Sequence, residues 1–178
     1  MPDDAKRVIL INAITRAMEW GTYIAMSQDC AAEEIADLLL FETGTALLAG
    51  DFDRFSACFG LPHVIETADT RSVIRDLTGL RKTFDELRRY YRDTQVVDVV
   101  RTVVEARFID CDTVGSTHVA CIVHADGMSR RKPYPVYSVI RRHDPLDWRI
   151  MSSLYVILDS ETHNDVLSVT LRPSEVSG

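Results

Sequence analysis

The stretch YPVYSVIRRHDPLDWRIMSSLYVI, residues 134–157, predicts a hairpin of two apolar strands joined at residues 143–147. The Asp-Pro step and the second aspartate in that junction are typical of a turn. Neither strand has a clean polar face, whereas an antiparallel strand with one face in water alternates apolar and polar residues. The pattern therefore predicts that both faces of this hairpin are covered.

Two more strands precede the hairpin. VVDVVRTVVEARFID (residues 96–110) and STHVACIVHAD (116–126) are rich in Val and Ile and keep a period of two. The segments between the runs contain Asp and Gly, which suit tight antiparallel connections. The second half of the chain therefore predicts four successive antiparallel strands.

The first half predicts helices. One begins at a capping Asp29 and ends at Gly50, and a short one over residues 51–59 begins at Asp51. A third covers 77–92, where apolar residues recur at spacings of three and four. Two short strands, 63–69 and 72–76, lie between. Helices followed by a strand meander predict an α+β fold, with a curved, mainly antiparallel sheet wrapped around three helices.

Composition limits the functional classes. The 178 residues carry a net charge of −7, and the isoelectric point is near 5.2, which argues against nucleic acid or an anionic membrane as partner. The four cysteines form no C-x-x-C pair, so they read as reduced thiols and not as a disulfide framework or zinc site. We expect a cytoplasmic protein with no metal and no cofactor.

The domain division follows from the same patterns. We expect an extra N-terminal helix within residues 1–28, the main domain over 29–160, and a C-terminal extension over 161–178. The extension holds an alternating run, 166–171, that suits a short edge strand before disorder. The first segment has two readings: a helix packed on the body or on a second subunit, or a leader ahead of a natural start at Met26.

The order of these elements resembles the nuclear transport factor 2-like superfamily, also called SnoaL-like, with its cystatin-type cone. LLAGDFDRF (47–55) between the first two helices and DWRI (147–150) opening the last strand carry the resemblance, which covers residues 33–158. It implies a pocket at the wide end of the cone and a homodimer formed through the outer face of the sheet. It implies no single activity.

Strand parity and the resemblance together predict two sets of residues. The ligand pocket is expected to be lined by Phe55, Phe59, His63, Tyr91, Val104, Phe108, Cys121, Ser138, Ile140, Ser152 and Leu154. The homodimer interface is expected to use Tyr137, Val139, Met151, Tyr155 and Ile157. A mostly apolar lining with a few hydroxyls suits a small hydrophobic ligand.

Catalytic candidates are weak. Aligned with ketosteroid isomerase-like members, Thr67 or Glu66 takes the base position, while Thr43 and Ser138 fall where a tyrosine and an aspartate donate to the substrate oxygen. Two or three of those roles are therefore unfilled. His63, close to the expected pocket mouth, and Glu66 are the candidates that remain.

Other polar strand residues are predicted to face outward. His118 and His124 lie roughly 20 Å apart along one strand, too far to share a metal ion. They face outward if Val119, Cys121 and Val123 form the dry side of that strand.

On the preceding strand, Arg101, Glu105 and Arg107 are assigned to the wetter face. Epoxide hydrolase-like relatives would need such an arginine inside the cone, between two aspartates.

Three functions remain open. The leading one is a binder of a small apolar or aromatic molecule. The second is a dehydratase, isomerase or cyclase of the same superfamily. The third is an accessory subunit resembling the small subunit of ring-hydroxylating dioxygenases.

Overall fold

The computed structural model describes residues 31–68, 70–127 and 132–156. The predicted N-terminal helix, the Asp29 cap, the 166–171 strand and Ile157 lie outside these ranges. The first described helix, α1, covers residues 31–49.

The end of α1 follows from its sequence. Gly50 takes a φ of +80°, and the Asp51 N–H donates to the Ala46 carbonyl at 2.9 Å while the Gly50 N–H donates to Leu47 O at 3.3 Å. This is a Schellman motif, which needs a residue that tolerates the left-handed region. The Asp51 carboxylate then accepts the Arg54 N–H at 3.0 Å and caps the next helix, α2 (Phe52–Ala57). The chain therefore turns sharply at Gly50–Asp51.

Helix α2 is shorter than its sequence predicts. Phe59 belongs to the first strand and pairs with Ile150, whose N–H donates to Cys58 O at 2.8 Å. Pairing with the sheet thus ends the helix before Gly60. Helix α3 (Leu77–Asp93) matches its prediction within one residue, and Asp76 caps it.

The sheet has six strands in the spatial order β2-β1-β6-β5-β4-β3. Strands β1 and β6 are parallel, and all other neighbours are antiparallel. The strand bounds are β1 Phe59–Glu66, β2 Arg71–Ile74, β3 Val96–Asp110, β4 Thr113–His124, β5 Tyr134–Asp144 and β6 Asp147–Tyr155. The α+β prediction, with a curved and mainly antiparallel sheet against the helices, is confirmed.

Two β-bulges set which side chains face the helices. In β3, Val103 pairs with His118 and Glu105 with Thr117, which leaves Val104 as an extra residue. In β6, Ile150 pairs with Ile140 and Ser152 with Val139, which leaves Met151 as an extra residue. An extra residue reverses the inward and outward parity of everything beyond it.

The core consists of two clusters of buried side chains. The first joins α2 and α3 to the sheet and includes Phe55, Phe84 and Val136. The second joins the start of α1 to the sheet and includes Ala36 and Ile140. Phe59 packs against both clusters. The candidate site lies between them.

Candidate functional site

A cavity of about 90 Å³ lies between the helices and the inner face of the sheet. One wall is apolar and partly aromatic, built from the three described helices and five strands. It comprises Leu40, Leu47, Leu48, Phe55, Phe59, Leu87, Tyr91, Val99, Ala120, Tyr134, Val136 and Ile150. Protein interiors are close-packed and leave few voids larger than one water, so a space of this size suits a ligand or several waters.

The other wall is polar. It comprises Thr43, Arg101, His118, Ser138, Ser153 and Tyr155, together with the backbone of Gly44. The Ser138 and Ser153 hydroxyls lie 3.5 Å apart on neighbouring strands. Among the described residues, no carboxylate lines the cavity.

Arg101 enters the site from β3. Its Nη1 donates to Thr43 Oγ1 at 3.1 Å, and the Thr43 hydroxyl donates in turn to Leu39 O at 2.7 Å. The guanidinium passes over Gly44 so closely that a Cβ built there would lie 1.9 Å from Nη2. A glycine on α1 is therefore what makes room for this cation.

The charge of Arg101 contributes to the pKa values of His118 and Tyr155. Burial, and secondly the charge of Arg101, lower the pKa of His118 to about 4, so the imidazole is neutral at pH 7. Burial raises the pKa of Tyr155, while Arg101 and a hydrogen bond with the Ser153 side chain act against that rise. The site therefore presents one cation surrounded by neutral polar groups.

Four of the residues predicted for the pocket lie in the cavity wall: Phe55, Phe59, Tyr91 and Ser138. Two others pack elsewhere. Ile140 belongs to the second core cluster, and Phe108 packs against Trp148 with ring centroids 5.9 Å apart.

The bulges account for other misplaced predictions. Val104, the extra residue of β3, is 62 % exposed and lies outside the cavity. In β6, the extra Met151 turns Ser153 and Tyr155 inward and leaves Ser152 and Leu154 out of the wall. The prediction that Tyr155 is an outward interface residue is therefore wrong, because Tyr155 lines the cavity.

The parity assumed for β4 is also wrong. Its buried positions alternate through Ser116, His118, Ala120, Ile122 and His124, so both histidines face inward and Cys121 does not. His124 has a structural role, because its Nδ1–H donates to Thr94 O at 2.8 Å.

The two weak catalytic candidates lie outside the cavity wall. His63 is 1 % exposed, stacks edge-on against Phe59, and its Nδ1–H donates to Ile150 O at 3.1 Å. Burial lowers its pKa to about 4. Glu66 pairs with Arg71, with Oε1 2.7 Å from Nε, at the far end of β1. Both residues have structural explanations.

Sequence reasoning missed Arg101 and His118. Arg101 was grouped with Glu105 and Arg107, which share its parity only if the strand is regular. The sequence signal for the drier face is the pair Val99 and Val103, which lie two positions to either side of Arg101 and share its face.

The turn between β5 and β6 brings three potential metal ligands together. Within the described ranges, ligand atoms of His143, Asp144 and Asp147 lie within 4.8 Å of one another. The Asp147 carboxylate is already held by Arg149, with Nη2 2.6 Å from Oδ2. That ion pair explains the acidic turn without a metal ion.

Three of the predicted interface positions lie on β5 and β6 and are at least partly exposed. Tyr137 is 40 % exposed, Val139 is half-buried, and Met151 is half-buried with its sulphur against Gly60. No helix in the described ranges has both the length and the apolar character needed to cross a membrane.

No protein-family model and no curated protein matches the chain. Solved structures do. An NTF2-like protein with a cystatin-like fold from Novosphingobium aromaticivorans gives a TM-score of 0.55 at 15% identity, covering 84% of this chain and 95% of that one. A ketosteroid isomerase-like protein from Erwinia carotovora atroseptica gives a TM-score of 0.52 at 12% identity, covering 72% of this chain and 97% of that one. A domain of unknown function with a cystatin-like fold from Nostoc punctiforme gives a TM-score of 0.55 at 15% identity, covering 77% of this chain and 83% of that one.

Proposed function

We propose that this chain, which has the nuclear transport factor 2-like, cystatin-type fold, binds a small molecule with an apolar or aromatic body in its cavity. The observation that carries the proposal is the division of the cavity into an aromatic wall and a polar wall. Apolar surface provides affinity for such a ligand, and a few placed polar groups orient it. A purely structural void is usually lined by apolar side chains, without an arginine, an imidazole and several hydroxyls.

Native mass spectrometry of freshly purified protein tests the proposal, because it preserves a retained ligand. The paired variants are Ala120→Leu, which fills the cavity, and Val119→Leu, which enlarges a side chain on the opposite face of β4. Ala120→Leu should remove the bound mass and Val119→Leu should retain it. Equal retention in both variants would place the ligand outside the cavity.

An enzymatic role in the same cavity is the second candidate, and one observation favours it. His118 is a neutral imidazole at pH 7 in a wall that lacks a described carboxylate, so it is the group able to accept a proton there. Incubation of candidate carbonyl ligands in D2O, followed by NMR, detects proton exchange next to the carbonyl. Exchange that His118→Gln abolishes would support a base, and exchange unchanged by that substitution would eliminate it.

We also propose that two copies of the chain associate through the outer face of the sheet. That face exposes large apolar side chains: Val100, Val104, Ile109, Tyr137 and Leu154 are each at least 37 % exposed. One pair of opposite charges on the same face is already formed, as Arg107 Nε lies 2.9 Å from Glu105 Oε1. An apolar face that carries such an ion pair suits a two-fold contact with the same face of a second copy better than a contact with a strongly charged partner.

Light scattering of wild type and Tyr137→Arg tests this association. The variant should become monomeric because a guanidinium would be placed in an apolar contact. A dimer of unchanged stability would refute the interface, and a wild-type monomer would leave this face available to a different partner, as the accessory-subunit alternative requires.

A further inference from the structure

Arg101 distinguishes this cavity from a simple hydrophobic pocket. A guanidinium has five N–H donors and retains its charge at any physiological pH. Within the described residues, its one hydrogen bond goes to Thr43. A half-buried cation with unused donors is costly unless a partner compensates it.

Two carboxylates that line a neighbouring groove do not supply that partner. Asp37 and Asp98 line the groove between α1 and β3, which Arg101 also borders, but neither forms an ion pair with it in the described structure. The Asp98 carboxylate instead accepts the Val99 N–H at 2.7 Å. Among the described residues, no carboxylate therefore supplies the compensating negative charge.

The geometry points to a small monocarboxylate as the ligand, with the carboxylate on Arg101 and an aromatic or short aliphatic body against Phe55, Phe59 and Tyr91. This assignment deepens the proposed function and rests on it. A planar carboxylate matches the fork of a guanidinium and can accept two parallel hydrogen bonds. The size of the cavity limits the body to about one small ring.

The neighbouring groups suit the same ligand. Ser138, Ser153 and Tyr155 offer hydroxyl donors on the same wall, and neutral His118 adds a ring N–H without introducing a second charge. Thr43 cannot compete for the ligand's oxygens, because its own proton is directed to Leu39 O. Its role is to hold the guanidinium in place.

Calorimetric and NMR titrations with benzoate and its neutral analogue benzamide test the inference. Wild type should bind benzoate at least about 10-fold more tightly than benzamide, the range expected for a charge-assisted hydrogen bond. Arg101→Met should lose about 10- to 100-fold in benzoate affinity and leave benzamide affinity nearly unchanged. Arg107→Met, on the outer face of the same strand, is the matched control and should change neither.

Gly44→Ala provides a second variant that keeps the charge. Its Cβ would displace the guanidinium, so benzoate affinity should fall while the helix remains intact. A third readout is the imidazole of His118: bound benzoate should raise its pKa, because a carboxylate offsets the charge of Arg101.

The outcomes distinguish the carboxylate assignment from the proposed binding of an apolar or aromatic molecule in the cavity. Equal binding of benzoate and benzamide, or a benzoate affinity unaffected by Arg101→Met, overturns the carboxylate assignment and leaves the apolar pocket standing. Absence of any binding of either compound to folded wild type at millimolar concentration overturns both.

Discussion

Lowering the pH from 7 to 5 should destabilise the protein through two buried histidines. His63 is 1 % exposed and His118 is 6 % exposed. Burial lowers the pKa of each to about 4 from the ordinary 6.5. Between those values the unfolded chain binds more protons than the folded one, so the free energy of unfolding rises with pH. The stability is complete above about pH 6.5 and declines as the pH falls towards 4.

The magnitude follows from the two pKa values. Each histidine should cost about 2 kcal/mol between pH 7 and pH 5, and the two together about 4 kcal/mol. That is a large part of the roughly 5–15 kcal/mol by which domains are stable. Carboxylates such as Asp147, whose pKa is lowered by Arg149, lose their contribution only at lower pH. The interval from 7 to 5 therefore isolates the histidines.

Urea unfolding at pH 7, 6 and 5 measures the effect, with His118→Gln and His63→Asn as variants that remove one titrating group each. Each variant should be less stable than wild type at pH 7 but should lose only about half as much stability on acidification. A free energy of unfolding that is flat between pH 7 and pH 5 in wild type would refute the reasoning, as would variants with an unchanged pH slope.

Three further predictions concern the scaffold. Gly50→Ala should lower the free energy of unfolding by about 1–2 kcal/mol in chemical denaturation, because its φ of +80° disfavours a Cβ and Arg88 occupies the space beside it. Gly50→Asn should recover part of that loss. Ile140→Ala should cost about 2–5 kcal/mol in the same assay, because this side chain is 2 % exposed in the second core cluster; a loss below 1 kcal/mol would contradict its assigned packing. Burial raises the pKa of the Cys58 thiol to about 11, so iodoacetamide at pH 8 should label exposed Cys111 and spare Cys58 until urea unfolds the chain. Rapid native labelling of Cys58, read by peptide mass spectrometry, would contradict that assignment.

Most of the elements were predictable because they have a local cause. The Gly50–Asp51 step and the Asp76 cap set where α1 ends and where α2 and α3 begin, and the β-branched runs mark the long strands. The end of α2 is an exception, because pairing with the sheet determines it. The fold class followed from their order. Strand parity, in contrast, depends on pairing with a neighbouring strand, so the local pattern does not determine it.

The cavity could be predicted only in part for that reason. Phe55 and Tyr91 reach it from helices, where strand parity plays no part, and Phe59 reaches it from the first residue of β1, ahead of the register shift in that strand. On β6, the residues beyond the bulge at Met151 were assigned to the wrong face, and on β3 the assumed parity fails before the bulge at Val104, since no residue type marks either bulge in the sequence. The prediction for Arg101 is wrong because it shares its sequence parity with Glu105 and Arg107, two outward charges that lie beyond the bulge.

The bulge at Met151 has an evolutionary consequence. Straightening the bulge without removing a residue would shift β6 by one position against β5 and exchange the inner and outer sets beyond it. Tyr155 and Ser153 would leave the cavity, while Leu154 and Ser152 would enter it. Deletion of the Met151 codon, in contrast, would remove the extra residue and leave Ser153 and Tyr155 inside a regular ladder. This hairpin can therefore lose one residue without a change in the chemistry of the pocket, whereas a slip of the same length would replace it.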